Sequence, residues 1–522
     1  MRMNETRCMN PATAQEIGRV AETCRKEWDS ILRNAHSAQS EWSGLDLKQR
    51  IKILRDVLMV LVERKHEIAE LINKDNGKPR VDAMATEVLP AAMALDYYCR
   101  HARVFLKDRS VGRGNILLFN KSSRIVWEPF GVVGIISPWN YPFSIPFSEV
   151  VMALLAGNTV ILKTASDTQL VGQTLADCFR AVDLPSGVFN FVNIPGRQAG
   201  QWFLEGGVNK LFFTGSVPVG KKLMAMAAEH LVPLVLELGG NDAMIVDRDA
   251  DLFRAARGAV WAGLQNGGQS CGGVERIYVH KDVYDDYLSM LAEYVKEMNI
   301  GPDTDFTIDM GPMTNESQLH IVHDHVNKAL KQGARIAAQG KMSPEAKKQG
   351  WFFPPTVLVD VNHGMKVMRE ETFGPVLAVM PVTDLEQAVQ LANDSEFGLT
   401  ASIWTRNRSL ADRIALKLAA GVVTVNDHLM SHGLPETPWG GYKQSGIGRT
   451  HGELGFKEMV QSKVIVHDFM PFCKKNMWWP PYSKKLYDGL AGTMDFLYGK
   501  QGNRFKGIKK LLKIVPRYFR EN

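Results

Sequence analysis

The stretch GVVGIIS, residues 131–137, is a short apolar run bounded by glycine and serine, as is typical of a buried strand. Four runs of the same kind follow it at helix-length intervals: NTVILKT (158–164), GVFNFVN (187–193), KLFFTGS (210–216) and PLVLELGG (233–240). Buried strands that alternate with helix-length segments predict a parallel sheet covered by helices on both faces. Sheets of this kind bind ligands at the carboxyl ends of their strands.

A second alternating series follows Asn241. Its predicted strands are RIYVH, PPTVLVDV, AVMPVT, TASIWTR and GVVTVND, and its predicted helices cover 282–298, 315–333, 384–393 and 408–419. We therefore predict an α/β fold with two tandem open parallel-sheet domains and a cleft near their junction at LELGGND (236–242). Upstream of both series, residues 14–110 have the apolar spacing of helices.

The composition is that of a soluble globular protein with several domains: 522 residues, 45% hydrophobic and 23% charged. The sequence has no apolar run of the roughly 18 residues that a membrane span needs, and its start lacks the apolar core of a secretory signal. We therefore expect a cytoplasmic location. The six cysteines form no CxxC pair and no histidines have zinc-ligand spacing, so we predict free thiols and no metal.

The net charge of +6 is concentrated at the C-terminus. Residues Pro471–Asn522 contain twelve lysines and arginines against three acidic residues, which is +9 and leaves −3 for the remainder. This segment also carries aromatic residues, and an apolar helical face is predicted from Leu486, Leu490, Met494 and Leu497. Either it packs on the protein itself or a neighbouring subunit, or 471–522 contacts an anionic membrane surface peripherally. Because no recognition motif accompanies the charge, we predict no nucleic-acid partner.

Seven motifs occur in an order and spacing that resemble those of the aldehyde dehydrogenase superfamily, from about residue 10 to about residue 468. They are SPWNYP (137–142), ILKTAS (161–166), FTGSVPVG (213–220), LELGGND (236–242), GGQSC (267–271), EETFGPV (370–376) and PWGGYKQSGIGR (438–449).

The resemblance implies three catalytic residues. Cys271 is expected to attack the aldehyde as a thiolate, and the Asn140 amide with the Cys271 backbone N–H is expected to stabilise the resulting oxyanion. Glu237 is expected to activate water as a general base. Taken singly, each residue has a simpler explanation: Cys271 as a small buried side chain, Asn140 as a turn residue and Glu237 as a solvated carboxylate. Their coexistence in one sequence favours catalysis.

The resemblance also implies that NAD or NADP is the cofactor, bound in a variant Rossmann turn. Lys163 is expected to bind the adenosine ribose, Ser216 the pyrophosphate at a helix N-terminus, and Glu371 the nicotinamide ribose. Ser166 stands where many NAD-preferring relatives carry glutamate, so we predict that NADP is tolerated or preferred. The complete predicted cofactor set is Trp139, Lys163, Ser166, Gly215, Ser216, Gly220, Leu238, Glu371 and Phe373.

The resemblance further implies a homodimer or homotetramer and a division into four parts. These are a cofactor domain (1–110 and 130–240), a catalytic domain (241–445), a small β oligomerisation element (111–129 and 456–468) and a basic amphipathic tail (469–522). Besides Ser166, two further positions depart from the family pattern: Glu149 stands where several relatives have lysine, and Thr450 where glutamate is frequent. Proton-relay roles at these two positions are therefore not carried over.

The predicted function is NAD(P)-dependent oxidation of an aldehyde to its carboxylic acid through a cysteine thiohemiacetal and thioester. Whether the substrate is succinic semialdehyde or a hydrophobic or fatty aldehyde stays open, because the candidate wall residues Trp261, Gln265, Ser270, His428 and Met430 do not decide it. A CoA-acylating enzyme is disfavoured by Glu237, since a thiol acceptor needs no base for water. A non-catalytic scaffold or membrane-binding protein that retains the fold is disfavoured by the intact catalytic set.

Overall fold

The computed structural model describes residues 4–519, which divide into two compact units. The first extends to Leu106 and resumes over Glu128–Gln461; the second comprises Lys107–Trp127 and the chain from Ser462 onward.

Strands and helices alternate along most of the chain. The strands are β1 (Glu5–Asn10), β2 (Gln15–Ala21), β3 (Arg109–Val111), β4 (Lys121–Pro129), β5 (Val132–Ile136), β6 (Thr159–Lys163), β7 (Phe189–Phe191), β8 (Lys210–Thr214), β9 (Leu234–Glu237), β10 (Asp242–Val246), β11 (Val274–His280), β12 (Asn299–Ile300), β13 (Arg335–Gln339), β14 (Lys341–Met342), β15 (Thr356–Val359), β16 (Val376–Val382), β17 (Thr400–Trp404), β18 (Val422–Val425), β19 (Gly446–Ile447) and β20 (Val460–Asp468). The α-helices are α1 (Arg25–Gly44), α2 (Leu47–Glu63), α3 (Lys65–Asn76), α4 (Arg80–Ala83), α5 (Leu89–Phe105), α6 (Ser144–Leu155), α7 (Gln169–Arg180), α8 (Gly196–Gly206), α9 (Val217–His230), α10 (Leu252–Leu264), α11 (Tyr284–Glu297), α12 (Glu316–Lys331), α13 (Leu385–Asn393), α14 (Arg408–Ala415), α15 (Gly452–Glu458), α16 (Lys484–Tyr498) and α17 (Gln501–Leu512), with a π-helical turn (Met84–Val88) between α4 and α5.

The first large sheet has the strand order β19-β9-β8-β5-β6-β7 and is parallel except for β19. Its five parallel strands confirm the five apolar runs predicted from the sequence. Their carboxyl ends carry Lys163 at the end of β6, Gly215 just after β8 and Glu237 at the end of β9. This edge is where a doubly wound sheet binds ligands.

The second large sheet has the order β13-β15-β16-β11-β10-β17-β18 and is parallel except for β13. The five predicted strands of the second series are confirmed, as are the four helices between them. All seven residues of β11 are buried, and Cys271 precedes this strand by a short turn. Strand β10 was not predicted, because only residues 238–241 separate it from β9.

The prediction of helices throughout residues 14–110 was wrong for the beginning of that range. Residues of β2 pair antiparallel with β1, with Gly18 opposite Cys8. Most of the β2 side chains are exposed, so this strand lacks the buried apolar run that identifies strands elsewhere in the chain. Helices α1, α2, α3 and α5 confirm the prediction as far as Phe105, whereas strand β3 begins at Arg109.

The second unit combines a three-stranded sheet, in the order β20-β4-β3, with helices α16 and α17. The predicted single apolar face of the tail was wrong in one respect. Leu486 is buried and Leu490 packs against the same small core, but the Met494 side chain on α16 is exposed to solvent. Among residues 4–519, no helix is both long and apolar enough to cross a bilayer.

Candidate active site

The carboxyl ends of strands in the first sheet and the amino ends of β10, β11 and β16 in the second sheet border a cavity of about 280 Å³ in the first unit. Nine of the twelve residues predicted for catalysis or cofactor binding line it: Trp139, Asn140, Gly215, Ser216, Glu237, Leu238, Cys271, Glu371 and Phe373. Of the three that do not line it, Lys163 ends β6, Ser166 begins the next 3₁₀ turn and Gly220 lies in the first turn of α9.

The turn before Cys271 has a backbone that few residues can adopt. After α10 the chain makes a short 3₁₀ turn in which Asn266, Gly267 and Gly268 have φ values of 55°, 63° and 71°. A Cβ atom on Gly268 would lie 2.1 Å from the Gly374 carbonyl oxygen. Glycine is therefore required for the turn to approach the loop that carries Phe373, and this approach places Cys271 at the cavity.

Hydrogen bonds hold both the side chain and the backbone of Asn140. Its side-chain amide donates to the Gln269 carbonyl oxygen at 3.1 Å, and its backbone carbonyl oxygen accepts from Lys78 Nζ at 2.8 Å. Lys78 also donates to the Glu87 carboxylate at 2.6 Å. Neither Lys78 nor Glu87 was predicted, because both lie far in sequence from Asn140. The sequence offers only weak signals of their role: a lysine before Pro79 and one glutamate among apolar residues.

Glu237 and Cys271 are both stabilised in their neutral forms. Both carboxyl oxygens of Glu237 are buried without a hydrogen-bond partner among the described residues. Burial, followed by the nearby Glu149, raises the pKa of the Glu237 carboxyl well above its usual range. Burial and the neighbouring Glu371 likewise raise the pKa of the Cys271 thiol. A carboxyl with a raised pKa is a stronger base once it is ionised, which suits proton abstraction.

A second, much smaller cavity lies on another side of Cys271 and Glu237. Its lining includes Glu149 and Thr450, two of the positions that depart from the family pattern, together with His432 and His451. Burial raises the pKa of Glu149 to about 8 and lowers those of His432 and His451 to about 4 and about 3. At neutral pH this region therefore carries no positive charge from its histidines.

The loop that carries Glu371 and Phe373 is fixed by a buried carboxylate. Glu275 accepts hydrogen bonds from the Thr372 N–H at 2.9 Å and the Phe373 N–H at 2.8 Å. Glu371 itself accepts from the Gly240 N–H at 2.9 Å, and the Phe373 ring meets Trp139 edge-on at 5.4 Å between centroids. Glu275 was not predicted, although a glutamate inside the buried strand VERIYVH is a detectable signal.

Lys163 is buried and its ammonium makes no hydrogen bond with any described residue. Burial lowers its pKa to about 8, while Asp167 acts in the opposite direction. Ser216 occupies the N-cap of α9, yet its hydroxyl does not cap the helix. An unpartnered cation and an uncapped helix N-terminus on one sheet edge fit the hydroxyl and phosphate groups of a dinucleotide.

Gly220 and Ser166 lie at different kinds of position. A Cβ atom on Gly220 would lie 2.7 Å from a methyl group of Leu238, so the glycine allows α9 to pack closely on the residue after β9. Ser166 begins a 3₁₀ turn (Ser166–Thr168) shortly after Lys163. The adjacent Asp167 carboxylate accepts from Asn315 at 3.2 Å.

Comparison with known proteins agrees with this geometry. The Aldehyde dehydrogenase family profile matches residues 2–465. The chain belongs to the aldehyde dehydrogenase family. The predicted family and fold class are thereby confirmed, and the chain is an aldehyde-oxidising oxidoreductase.

Three similar proteins illustrate the range of this family. This chain is 38% identical over 476 residues to 4,4'-diapolycopene aldehyde oxidase of Methylomonas sp, and the alignment covers 91% of this chain and 88% of the relative. It is 36% identical over 438 residues to a Mycobacterium ulcerans protein provisionally named NADP(+) succinate-semialdehyde dehydrogenase 2, covering 84% of this chain and 83% of the relative. The NAD+ complex of Bacillus cereus aldehyde dehydrogenase matches with a TM-score of 0.84 and 31% identity, covering 89% of this chain and 93% of that chain. Members of this family thus use NAD or NADP.

Proposed function

We propose that this dehydrogenase oxidises an uncharged, apolar aldehyde to its carboxylate, with Cys271 as nucleophile, Asn140 as oxyanion donor and Glu237 as general base. The observation that carries the proposal is that these three side chains line one cavity, in which both oxygens of Glu237 lack a partner. A buried carboxyl without partners is costly unless a substrate or water uses it.

In the proposed reaction, the Cys271 thiolate adds to the aldehyde carbon and the carbonyl oxygen becomes an alkoxide. The Asn140 amide has two hydrogens, so one can stay on the Gln269 carbonyl while the other donates to the alkoxide, together with the Cys271 N–H. When bound, the oxidised nicotinamide accepts the hydride that leaves the former aldehyde carbon. A water attacks the resulting Cys271 thioester while one of its protons goes to Glu237. The carbon–sulfur bond breaks, which restores the Cys271 thiolate and releases the carboxylic acid, and this acid loses its proton to solvent to give the carboxylate.

We infer that both NAD+ and NADP+ serve as oxidant. A hydroxyl at Ser166 exerts no charge repulsion on a 2′-phosphate, and the nearby Lys163 ammonium has no hydrogen-bond partner among the described residues. The neighbouring Asp167 adds negative charge close to Lys163, which favours tolerance of NADP+ over strict preference for it. Comparison of kcat/KM for the two cofactors tests this inference, and strict NAD+ specificity contradicts it.

The charge around Cys271 favours an uncharged substrate over a dicarboxylate semialdehyde. Neither cavity that reaches Cys271 is lined by a described lysine or arginine, and the smaller one contains the carboxyls of Glu149 and Glu237. The Lys78 Nζ atom lies 4.1 Å from the centre of the Tyr141 ring, but this ammonium is already paired with the buried Glu87 carboxylate. Within these two cavities, a second carboxylate on the substrate would therefore meet no available cation.

The test is an assay of NAD(P)H formation with hexanal, dodecanal and succinic semialdehyde, each with both cofactors. We expect the alkanals to give the higher kcat/KM, and Cys271→Ala to abolish the signal. A reversed order, with succinic semialdehyde preferred, contradicts the proposed substrate class. Formation of acyl-CoA after addition of CoA identifies the acylating alternative, and activity that persists in Cys271→Ala contradicts the whole assignment.

The proposed oligomer, a homodimer or homotetramer, is supported by the three-stranded sheet of the second unit. Val111, Val464 and Val466 on this sheet expose much of their side chains to solvent. Exposed apolar residues on a sheet with open edges are typical of an interface between subunits. Light scattering during size-exclusion chromatography measures the oligomeric state, and a monomer contradicts the prediction.

A further inference from the structure

Helices α16 and α17 pack against each other through small residues. A Cβ atom on Gly507 would lie 2.4 Å from the Gly492 carbonyl oxygen, and one on Gly492 would lie 2.4 Å from Lys510 Cβ. The accompanying apolar core contains Leu486, Ile514 and few other residues. Glycines thus provide the close contact between the helices, and the inner face has little room for large side chains.

Leu511 packs against this core, whereas three other large side chains of α17 lie on its outer face. Phe505, Ile508 and Leu512 follow each other at intervals of three and four residues and form one apolar stripe. Phe505 is 79% exposed and Leu512 is 60% exposed. The apolar core of the second unit does not include these residues, so the stripe has no apolar partner among the described residues of that core.

A row of lysines runs beside this stripe at the same spacing. Lys506, Lys509 and Lys513 are all exposed, and none forms an ion pair with a residue within 4–519. On α16, three more large side chains point outward at helical spacing: Tyr487, Met494 and Tyr498. The two helices therefore present apolar and aromatic side chains bordered by unpaired positive charge.

We propose that the outer surface of α16 and α17, defined by the apolar stripe and the lysine row, docks on the surface of an anionic lipid bilayer. Aromatic and aliphatic side chains enter the boundary between headgroups and acyl chains, while lysines extend from the same helix to lipid phosphates. The segment Pro471–Asn522 has a formal charge of +9, which complements an anionic leaflet. This docking is independent of the chemistry proposed at Cys271.

Charge separates a bilayer from the main competing occupant, a second copy of this chain. A two-fold contact through the stripe would bring Lys506, Lys509 and Lys513 close to the same lysines of the other copy. The remainder of the chain carries a formal charge of only −3 to offset the tail. An anionic bilayer satisfies both the apolar stripe and the lysine row, and self-association satisfies only the stripe.

The test is co-sedimentation of the full-length protein with vesicles of phosphatidylcholine alone or with 30% phosphatidylglycerol. Two variants probe the two parts of the surface: Phe505→Ser/Leu512→Ser for the stripe and Lys506→Glu/Lys509→Glu/Lys513→Glu for the lysine row. The matched control, Lys341→Glu/Lys347→Glu/Lys348→Glu, changes the same charge at exposed lysines of the first unit. Circular dichroism and aldehyde oxidation in solution verify that the variants fold.

We expect the wild type and the control to bind the anionic vesicles at least about tenfold more tightly than the neutral ones, with weakening in high salt. The lysine-row variant should lose about 100-fold in affinity, and the stripe variant should bind both vesicle types more weakly. Equal partitioning of wild type and both variants overturns the proposal. The proposal is also overturned if the wild type binds no vesicles and the stripe variant has a lower oligomeric state than the wild type. The stripe would then contact a second copy of this chain. Failure of the Cys271 assignment would instead appear as NAD(P)H formation that persists in Cys271→Ala, whatever the vesicle binding.

Discussion

Lys78 Nζ lies 2.6 Å from the Glu87 carboxylate, and both side chains are fully shielded from solvent. Lys78 also donates to the Asn140 carbonyl oxygen, while Glu87 accepts from the Ser144 N–H at the start of α6. One buried ion pair therefore holds both sides of the loop that presents the Asn140 amide. Since the stabilisation that the proposed oxyanion donor Asn140 gives to the transition state depends on its position, this ion pair is expected to affect catalysis as well as folding.

Replacement of Glu87 by alanine should leave the Lys78 ammonium buried without its partner. We expect a loss of about 3–5 kcal/mol in the free energy of unfolding, as is typical when one partner of a buried pair is removed. Denaturant unfolding measures this loss. The exposed pair between Lys417 and Glu386 is the control, and Glu386→Ala should cost at most about 1 kcal/mol. Similar losses for the two variants would show that the buried pair has no special role.

Replacement of Glu237 by glutamine should block hydrolysis of the thioester. We expect kcat to fall about 10²–10⁴-fold, because a positioned general base contributes that much. Intact mass spectrometry of Glu237→Gln with aldehyde and cofactor should detect an acyl group on Cys271, and Cys271→Ala should show none. An inactive variant without the adduct would mean that Glu237 acts before the thioester forms. In the wild type the rate should continue to rise with pH beyond the range in which an ordinary carboxyl ionises, since the pKa of the Glu237 carboxyl is raised well above its usual range.

Much of the fold could be predicted because its strands are unusually easy to recognise. The strands from β5 to β9 are apolar runs bounded by glycine or proline, and parallel sheets bury both faces of such runs. Strand β2 escaped prediction because pairing with β1, and not burial, defines it. The outward position of Met494 also escaped, because close packing at Gly492 and Gly507 decides which face of α16 turns inward.

The candidate site likewise contains residues that the sequence identifies and residues that only the structure reveals. Cys271, Glu237 and Asn140 stand in short motifs whose residue types suit one reaction, so a family resemblance identifies them. Lys78 and Glu275 act through contacts with distant residues, such as the hydrogen bond from Lys78 to Asn140, 62 positions away. A glutamate inside a buried strand signals that Glu275 has a role, but no local periodicity or motif identifies the distant partners of Glu275 or Lys78, and only the folded structure reveals them.

Introduction of a carboxylate at Ser166 should restore discrimination against NADP+. Repulsion between this carboxylate and a 2′-phosphate is expected to lower kcat/KM with NADP+ about 10–100-fold in Ser166→Glu. Activity with NAD+ should change little, because its ribose hydroxyls can donate to the new carboxylate. Ser166→Gln is the matched control, since it has a similar size without the charge. Parallel losses with both cofactors in Ser166→Glu would place the 2′-phosphate away from this position.

Glu149 should make the stability of the protein depend on pH. Its folded-state pKa is raised to about 8 from 4.5 by burial, so between these values the folded protein keeps a proton that the unfolded chain releases. The stability that this group contributes is fully present below pH about 4.5 and is lost as the pH rises to about 8, at no more than about 1.4 kcal/mol per pH unit. Glutamine cannot ionise, so Glu149→Gln should have a higher Tm than the wild type at pH 8.5 and nearly the same Tm at pH 5. The exposed Glu63→Gln variant should follow the wild type at both values. If Glu149→Gln also follows the wild type, the Glu149 carboxyl is ionised in the folded protein and its neighbours in the small cavity must compensate the charge.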